Sequence, residues 1–133
     1  MPEENVELIR RAVKAFNDRD LAALDDLVTE DFEFVPYMAT LIETTTYRGR
    51  EGLRKYQEDA DAAWESIQAH VDEVRDLGDR VVVFGEIRAH GRSSGLDVQV
   101  PLAWVVDLHE GKLRRNRSYS DKREALEAAG LSE

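Results

Sequence analysis

A chain of 133 residues, 42% hydrophobic and 35% charged, has the balance of one folded domain with a real core, which excludes both a disordered segment and a two-domain protein. Its 28 acidic and 18 basic residues leave a formal charge of −10, which repels phosphate backbones and argues against nucleic acid as a partner. Cysteine is absent, which excludes disulfides, thiol catalysis and cysteine-ligated metals.

The first residues, Met1-Pro2-Glu3-Glu4-Asn5, are acidic and polar rather than signal-like, and no apolar run is long enough to span a bilayer. A cytoplasmic protein with no membrane contact is therefore expected. Pro2 suits the first turn of a helix, and Val6, Ile9, Val13 and Phe16 follow at helical spacing, with Arg10, Arg11, Lys14 and Asn17 pointing away. Asp20 then caps a short second helix carrying Leu21, Leu24, Leu27 and Val28. Asp31 to Pro36 alternates as a short strand, which Pro36 stops or confines to an edge. Tyr37 to Tyr47 is irregular and moderately apolar, and is the candidate gate of any pocket. Gly49 opens a third helix with Leu53, Tyr56, Ala60, Ala63 and Trp64 on one face.

Four strands follow. Ser66 to Leu77 is the first, and Asp79 to His90 the second, rich in β-branched and aromatic residues. After a turn at Gly91–Gly95, Leu96 to Leu108 alternates with period two: Leu96, Val98, Val100, Leu102, Trp104, Val106 and Leu108 share one face. Glu110-Gly111 turns into the last strand, Lys112 to Ser120, and Asp121 caps a tail helix that Gly130 stops. The expected fold class is α+β: a curved antiparallel sheet, packed on three helices of the N-terminal half, forms a cone, and a short C-terminal helix completes a single domain over 1–133. Ligand pockets form in such concavities.

With the apolar face inward, Val100, Leu102, Trp104 and Val106 wall the cone, and the neighbouring strand presents Val83, Gly85, Ile87 and Ala89. The last strand adds Asn116 and Ser118, with Arg114 as the one cation to watch. Phe16, Phe34, Tyr37, Tyr56 and Trp64 close the wide end. This describes an aromatic, weakly polar site for a flat apolar molecule; the competing reading makes Trp104, Trp64 and Phe16 ordinary core and gives Asn116 a water or backbone partner. Glu86, Arg88 and His90, at alternate positions, belong to the outer face, where Pro101, Ala103 and Val105 are placed to pack across a two-fold axis. His70, His90 and His109 have no metal-ligand spacing, and no metal or cofactor is expected.

Five stretches together resemble SnoaL-like proteins of the nuclear transport factor 2-like superfamily, whose fold is cystatin-like. They are Glu4-Asn5-Val6 through Phe16-Asn17-Asp18-Arg19-Asp20-Leu21, Tyr47-Arg48-Gly49-Arg50-Glu51-Gly52, Gly78-Asp79-Arg80-Val81-Val82-Val83, Glu110-Gly111-Lys112, and Ala125-Leu126-Glu127-Ala128-Ala129-Gly130-Leu131. The resemblance implies the same α+β cone and a homodimer through the outer sheet face. The superfamily includes ketosteroid isomerases, polyketide cyclases, epoxide hydrolases, dehydratases and transport factors, so membership alone assigns no chemistry. Its catalytic residues do not carry over. The isomerase tyrosine, base and second acid fall near Ala12, Pro36 and Trp104 or Ala103, the cyclase acid at Trp104, and the epoxide hydrolase set at Gly85, Ile87 and Ser118. The expected function is binding of a small apolar or aromatic molecule in the cone. The alternatives are an isomerase, cyclase or dehydratase using Tyr37, Tyr56, Asp31 or Glu43 as acid or base, and a non-catalytic protein-interaction module.

Overall fold

The computed structural model describes residues 2–36 and 46–130. Helix α1 (Pro2–Asn17) buries Leu8, Ile9 and Ala15. It is tied at both ends to the sheet by amide side chains. Asn5 donates to Asp76 Oδ1 at 2.9 Å and to the Gly78 carbonyl at 2.7 Å. Asn17, expected to point away, both donates to the Ala69 carbonyl (3.0 Å) and accepts from the Ala69 amide (2.8 Å). Asp20 accepts from the Ala23 amide and caps α2 (Leu21–Asp25). That helix ends before Leu27 and Val28, which the sequence assigned to it; Val28 begins β1 (Val28–Val35), opposite Leu113. A pairing so distant in sequence outweighs the local helical pattern.

Strand β2 (Tyr47–Arg48) pairs with β1 and leads into α3 (Gly49–Ala63). Trp64 was expected on this helix. Instead it adopts extended backbone and begins β3 (Trp64–Asp76), opposite Gly91. Arg92 secures this junction, its side chain donating to the Asp61 and Trp64 carbonyls and its amide to the Ala63 carbonyl. The long strands β4 (Arg80–Gly91), β5 (Asp97–His109) and β6 (Lys112–Tyr119) follow, then α4 (Lys122–Ala128), capped by Asp121 and followed by Gly130 in the left-handed region.

The six strands form one sheet in the order β2-β1-β6-β5-β4-β3. Every pairing is antiparallel except β1 with β6, which run parallel, a departure from the all-antiparallel expectation. The β3–β4 ladder shifts register between Val71 and Glu73, opposite Gly85 and Phe84. A bulge of this kind bends a strand and increases its twist, and here it curves the sheet over α1.

Alternation sends neighbouring residues of each strand to opposite faces. On the concave face Val81, Val83, Trp104, Val106, Phe32 and Leu113 pack with Leu8 and Ile9 of α1 and Leu53 of α3. On the convex face Val82, Phe84, Ala103 and Val105 pack under Ala125 and Leu126 of α4. Ala103 and Val105, read from sequence as dimer-facing, are thus covered by the chain's own last helix. Arg80 fastens that helix: its Nε donates to Asp107 Oδ1 at 2.6 Å and its Nη1 to the Ala128 carbonyl at 3.3 Å. No helix among the described residues is long and apolar enough to cross a membrane.

Candidate functional site

The concave face of the sheet and helices α1 to α3 enclose a cavity of about 400 Å³. Its walls follow from strand alternation: Val98, Val100, Leu102, Trp104 and Val106 come from β5, and Val83, Ile87 and Ala89 from β4. The helices close it with Ile9, Ala12, Val13 and Phe16 of α1, Leu21 and Leu24 of α2, and Leu53, Tyr56 and Ala60 of α3. Apolar side chains dominate this lining, as in most small-molecule pockets.

Of the residues singled out from sequence, Phe16, Phe34, Tyr56, Trp64, Ile87, Leu102, Trp104, Asn116 and Ser118 come together here. Gly85 is on the same face but contributes no wall. A Cβ there would stand 2.0 Å from the His70 carbonyl oxygen, because the bulged β3 backbone fills the space. Arg114 lies elsewhere. Leu113 and Asn116, three apart, both face the cavity, so the strict alternation that would aim Arg114 inward is broken beside the register irregularity of β1 and β6. The Arg114 guanidinium is exposed and 3.5 Å from Asp31. Tyr37, Glu43 and most of the proposed Tyr37–Tyr47 gate, residues 37–45, lie outside the described residues; its last residue, Tyr47, begins β2.

An aromatic group shapes one end of the cavity. The Tyr56 ring meets Phe34 edge-on at 4.8 Å between centroids and Tyr47 at 5.3 Å, and Phe16 lies 6.4 Å away. Tyr47 donates its hydroxyl to Asp59 at 2.7 Å. Burial pushes the Tyr56 phenol up to about 12, so it is neutral throughout the ordinary range. Among the described residues, the charged ones in the lining are Arg19 and Asp20. Both are engaged, Arg19 with Asp61 and Asp20 with the α2 amide it caps. The uncharged polar residues of the lining are Tyr56 and Gln57 of α3 and Asn116 and Ser118, which are on β6 opposite Val106 and Trp104. Ser118 is buried, and the Asn116 side-chain oxygen is shielded with no hydrogen-bond partner.

Sequence reasoning missed Phe32, Leu53 and, apart from Phe16, the α1–α2 residues of the lining. Their helical or strand spacing marked them only as core. Asp31, an acid–base candidate, is outside the cavity; the Thr29 hydroxyl donates to it at 2.7 Å and holds its carboxyl below the usual range. It belongs to a charged depression with Glu33, Asp79, Arg80, Asp107, Arg114 and Arg115. Glu86, Arg88 and His90 are on the convex face as expected: Glu86 pairs with Arg88 and accepts from Gln99, and His90 Nδ1 meets Asp97 at 2.7 Å. Among the described residues, no group of three His, Cys, Asp or Glu is placed to hold a metal ion.

Solved structures share this architecture. A nuclear transport factor 2-like protein of unknown function from Burkholderia pseudomallei superposes with a TM-score of 0.79 at 18% identity, over 93% of this chain and 95% of its own. TerC, co-crystallised with polyporic acid, gives 0.78 at 22% identity over 96% and 98%. A putative SnoaL-like polyketide cyclase from a Jannaschia species gives 0.76 at 19% identity over 96% and 92%. At these identities the likeness is one of fold. Among curated proteins no sequence match was found. The sequence itself matches the SnoaL-like domain across residues 9–116. With the cone, its sheet order and this match in agreement, the chain belongs to the SnoaL-like domain family.

Proposed function

We propose that this protein binds a small apolar, aromatic molecule in the cone, in a cytoplasmic setting. The observation that carries the reading is a cavity of about 400 Å³ walled by aliphatic and aromatic side chains, with Tyr56, Gln57, Asn116 and Ser118 as neutral polar residues of its lining. Burying an aromatic ring against such walls stabilises it by roughly 25 cal/mol per Å² of apolar surface removed from water. That TerC, similar in fold, was co-crystallised with polyporic acid supports an aromatic ligand.

The described lining offers binding groups rather than an acid–base pair. Tyr56 keeps its proton, Asn116 and Ser118 do not titrate, and Asp20 is held as a helix cap. The reading is therefore a binding domain rather than an isomerase or cyclase.

A homodimer through the convex face is part of the proposal. With α4 over Ala103 and Val105, the surface left for a second copy is the ladder of Glu86, Arg88 and Gln99 beside exposed Pro101. Sedimentation equilibrium of the wild-type chain and of Pro101→Glu tests it: a dimer weakened by the substitution is expected, and a wild-type monomer at working concentration refutes it.

Binding itself is tested by adding neutral bicyclic and tricyclic aromatics while following the melting temperature and tryptophan fluorescence. Trp64 and Trp104 are the chain's 2 tryptophans and both line the cavity, so saturable quenching is expected, with stabilisation growing as the logarithm of ligand concentration. Neither response from any member of the series would refute the reading.

A further inference from the structure

Resting on that binding role, the polar end of the cavity specifies what its ligand must carry. Asn116 belongs to β6, between β1 and β5, and its register neighbours are Phe34 on one side and Val106 on the other. Neither has a polar side-chain atom. The side-chain oxygen of Asn116 is shielded from solvent and has no hydrogen-bond partner. A buried acceptor left unmade is destabilising, so a group entering the cavity with an O–H or N–H to donate gains more than one without.

Two further observations bear on the same end. Phe34, beside Asn116 in the ladder, is the residue against which the Tyr56 ring stacks edge-on at 4.8 Å. The Tyr56 hydroxyl has no hydrogen-bond partner among the described residues, leaving it free to donate or accept within the cavity. Ser118, two residues along the same face and 2% exposed, adds a hydroxyl opposite Trp104. Among the described residues no free charge accompanies them: Arg19 and Asp20, the charged residues of the described lining, are engaged with Asp61 and with the α2 amide. An ionised ligand would lose its hydration with no counter-charge to replace it.

We propose that the cavity selects an uncharged hydroxylated ring compound, its hydroxyl donating to Asn116 Oδ1 and its ring lying between Trp104 and the Phe34–Tyr56 pair. The unpartnered oxygen is then a specificity determinant, and the aromatic walls supply most of the affinity.

Three probes of nearly one shape separate these ideas: 2-naphthol, which donates; 2-methoxynaphthalene, which does not; and 2-naphthoate, which is ionised. Titration calorimetry with the wild-type chain near pH 7 is expected to give 2-naphthol about 10-fold tighter binding than 2-methoxynaphthalene, the size of one satisfied hydrogen bond. Binding of 2-naphthoate is expected to be weaker than either. In Asn116→Leu, which keeps the volume and removes the acceptor, the preference for 2-naphthol over its methyl ether should vanish while the ether binds at least as well. Equal wild-type affinities for 2-naphthol and its ether would overturn the inference and leave the binding role standing, since the bound ring would then not be reaching the Asn116 oxygen. Tighter binding of the ether or of the carboxylate would overturn it too. Failure of all three neutral and charged probes would instead remove the binding role on which it rests. The wild-type comparison decides the matter if Asn116→Leu does not fold.

Discussion

Gly85 is the residue whose replacement should tell most about how the cone is made. It lies on β4 opposite Val71, where the β3–β4 register shifts before Glu73. A Cβ built there meets the His70 carbonyl oxygen at 2.0 Å, the His70 carbonyl carbon at 3.0 Å and the Val71 Cα at 3.1 Å. All three are backbone atoms, so no side chain can swing aside. Restoring an ordinary contact of about 3.4 Å to that oxygen means moving β3 by more than an ångström at this point of the ladder. Overpacking of this kind costs about 1–3 kcal/mol, and losing one or two ladder hydrogen bonds adds about 0.5–1.5 kcal/mol each. Gly85→Ala is therefore expected to destabilise the fold by roughly 2–5 kcal/mol, a large share of the 5–15 kcal/mol typical of a domain. Urea denaturation followed by circular dichroism measures it, with Gly95→Ala as the control. Gly95 has φ +69 and nothing within 4 Å of its Cβ position, so its replacement reports only left-handed strain, about 1–2 kcal/mol. A Gly85→Ala chain within 1 kcal/mol of wild type, or no less stable than the control, would refute the claim that this close approach shapes the sheet.

Asn17→Ala removes both hydrogen bonds to the Ala69 backbone and should cost about 1–3 kcal/mol; faster amide exchange at Ala69 would show that the β3 edge has been opened, and unchanged exchange would refute the anchor. Leu126→Ala should uncover Val82, Phe84 and Val105 at a cost of about 2–5 kcal/mol, measured by denaturation, and a change under 1 kcal/mol would mean that α4 does not hold the convex face. His90 titrates above its ordinary 6.5 because the Asp97 carboxylate accepts its hydrogen bond. Its contribution to stability is present in full below pH 6.5 and fades as pH rises through the raised value; proton NMR of the imidazole should show the midpoint falling in Asp97→Asn. Tyr56 is raised from 10 to about 12 by burial, so the unfolded chain ionises first and stability declines above pH 10. Tyr47, partly buried and bonded to the Asp59 carboxylate, is likewise raised to about 12, so alkaline difference absorbance should show two late phenols, of which Tyr56→Phe removes one; an unchanged late amplitude in that variant would refute the assignment.

What the sequence disclosed was what short-range chemistry decides. The Asp20 and Asp121 caps, the apolar stripe of α1 and the period-two face of β5 each depend on residues a few positions apart, and each is where the pattern put it. The walls of the cavity followed, since alternation from Val98 to Val106 fixes their direction. Where distant strands decide, the reading failed. Val28 has a helical neighbourhood but a strand partner at Leu113, and Trp64 continues the apolar stripe of α3 yet pairs with Gly91. Arg114 is turned from the cavity by a register irregularity that neither strand betrays alone. Gly85 looks like a pocket-lining gap in an alternating strand, whereas its emptiness is filled by the β3 backbone. The tail helix was visible from its cap and glycine stop, but not the face it covers, which is how Ala103 and Val105 came to be read as dimer contacts.

The central claim is that the cone takes in a small aromatic guest, and the chain's own tryptophans test it. With 2 tryptophans in the sequence, both lining the cavity, a nitrogen-15-labelled sample gives two indole N–H resonances that report on its two sides. Addition of 2-naphthol is predicted to move both, saturably and at one common affinity, with the backbone amides of Ile87 and Ser118 following. Indole resonances that stay fixed at saturating probe, while only exposed amides move, would contradict the account.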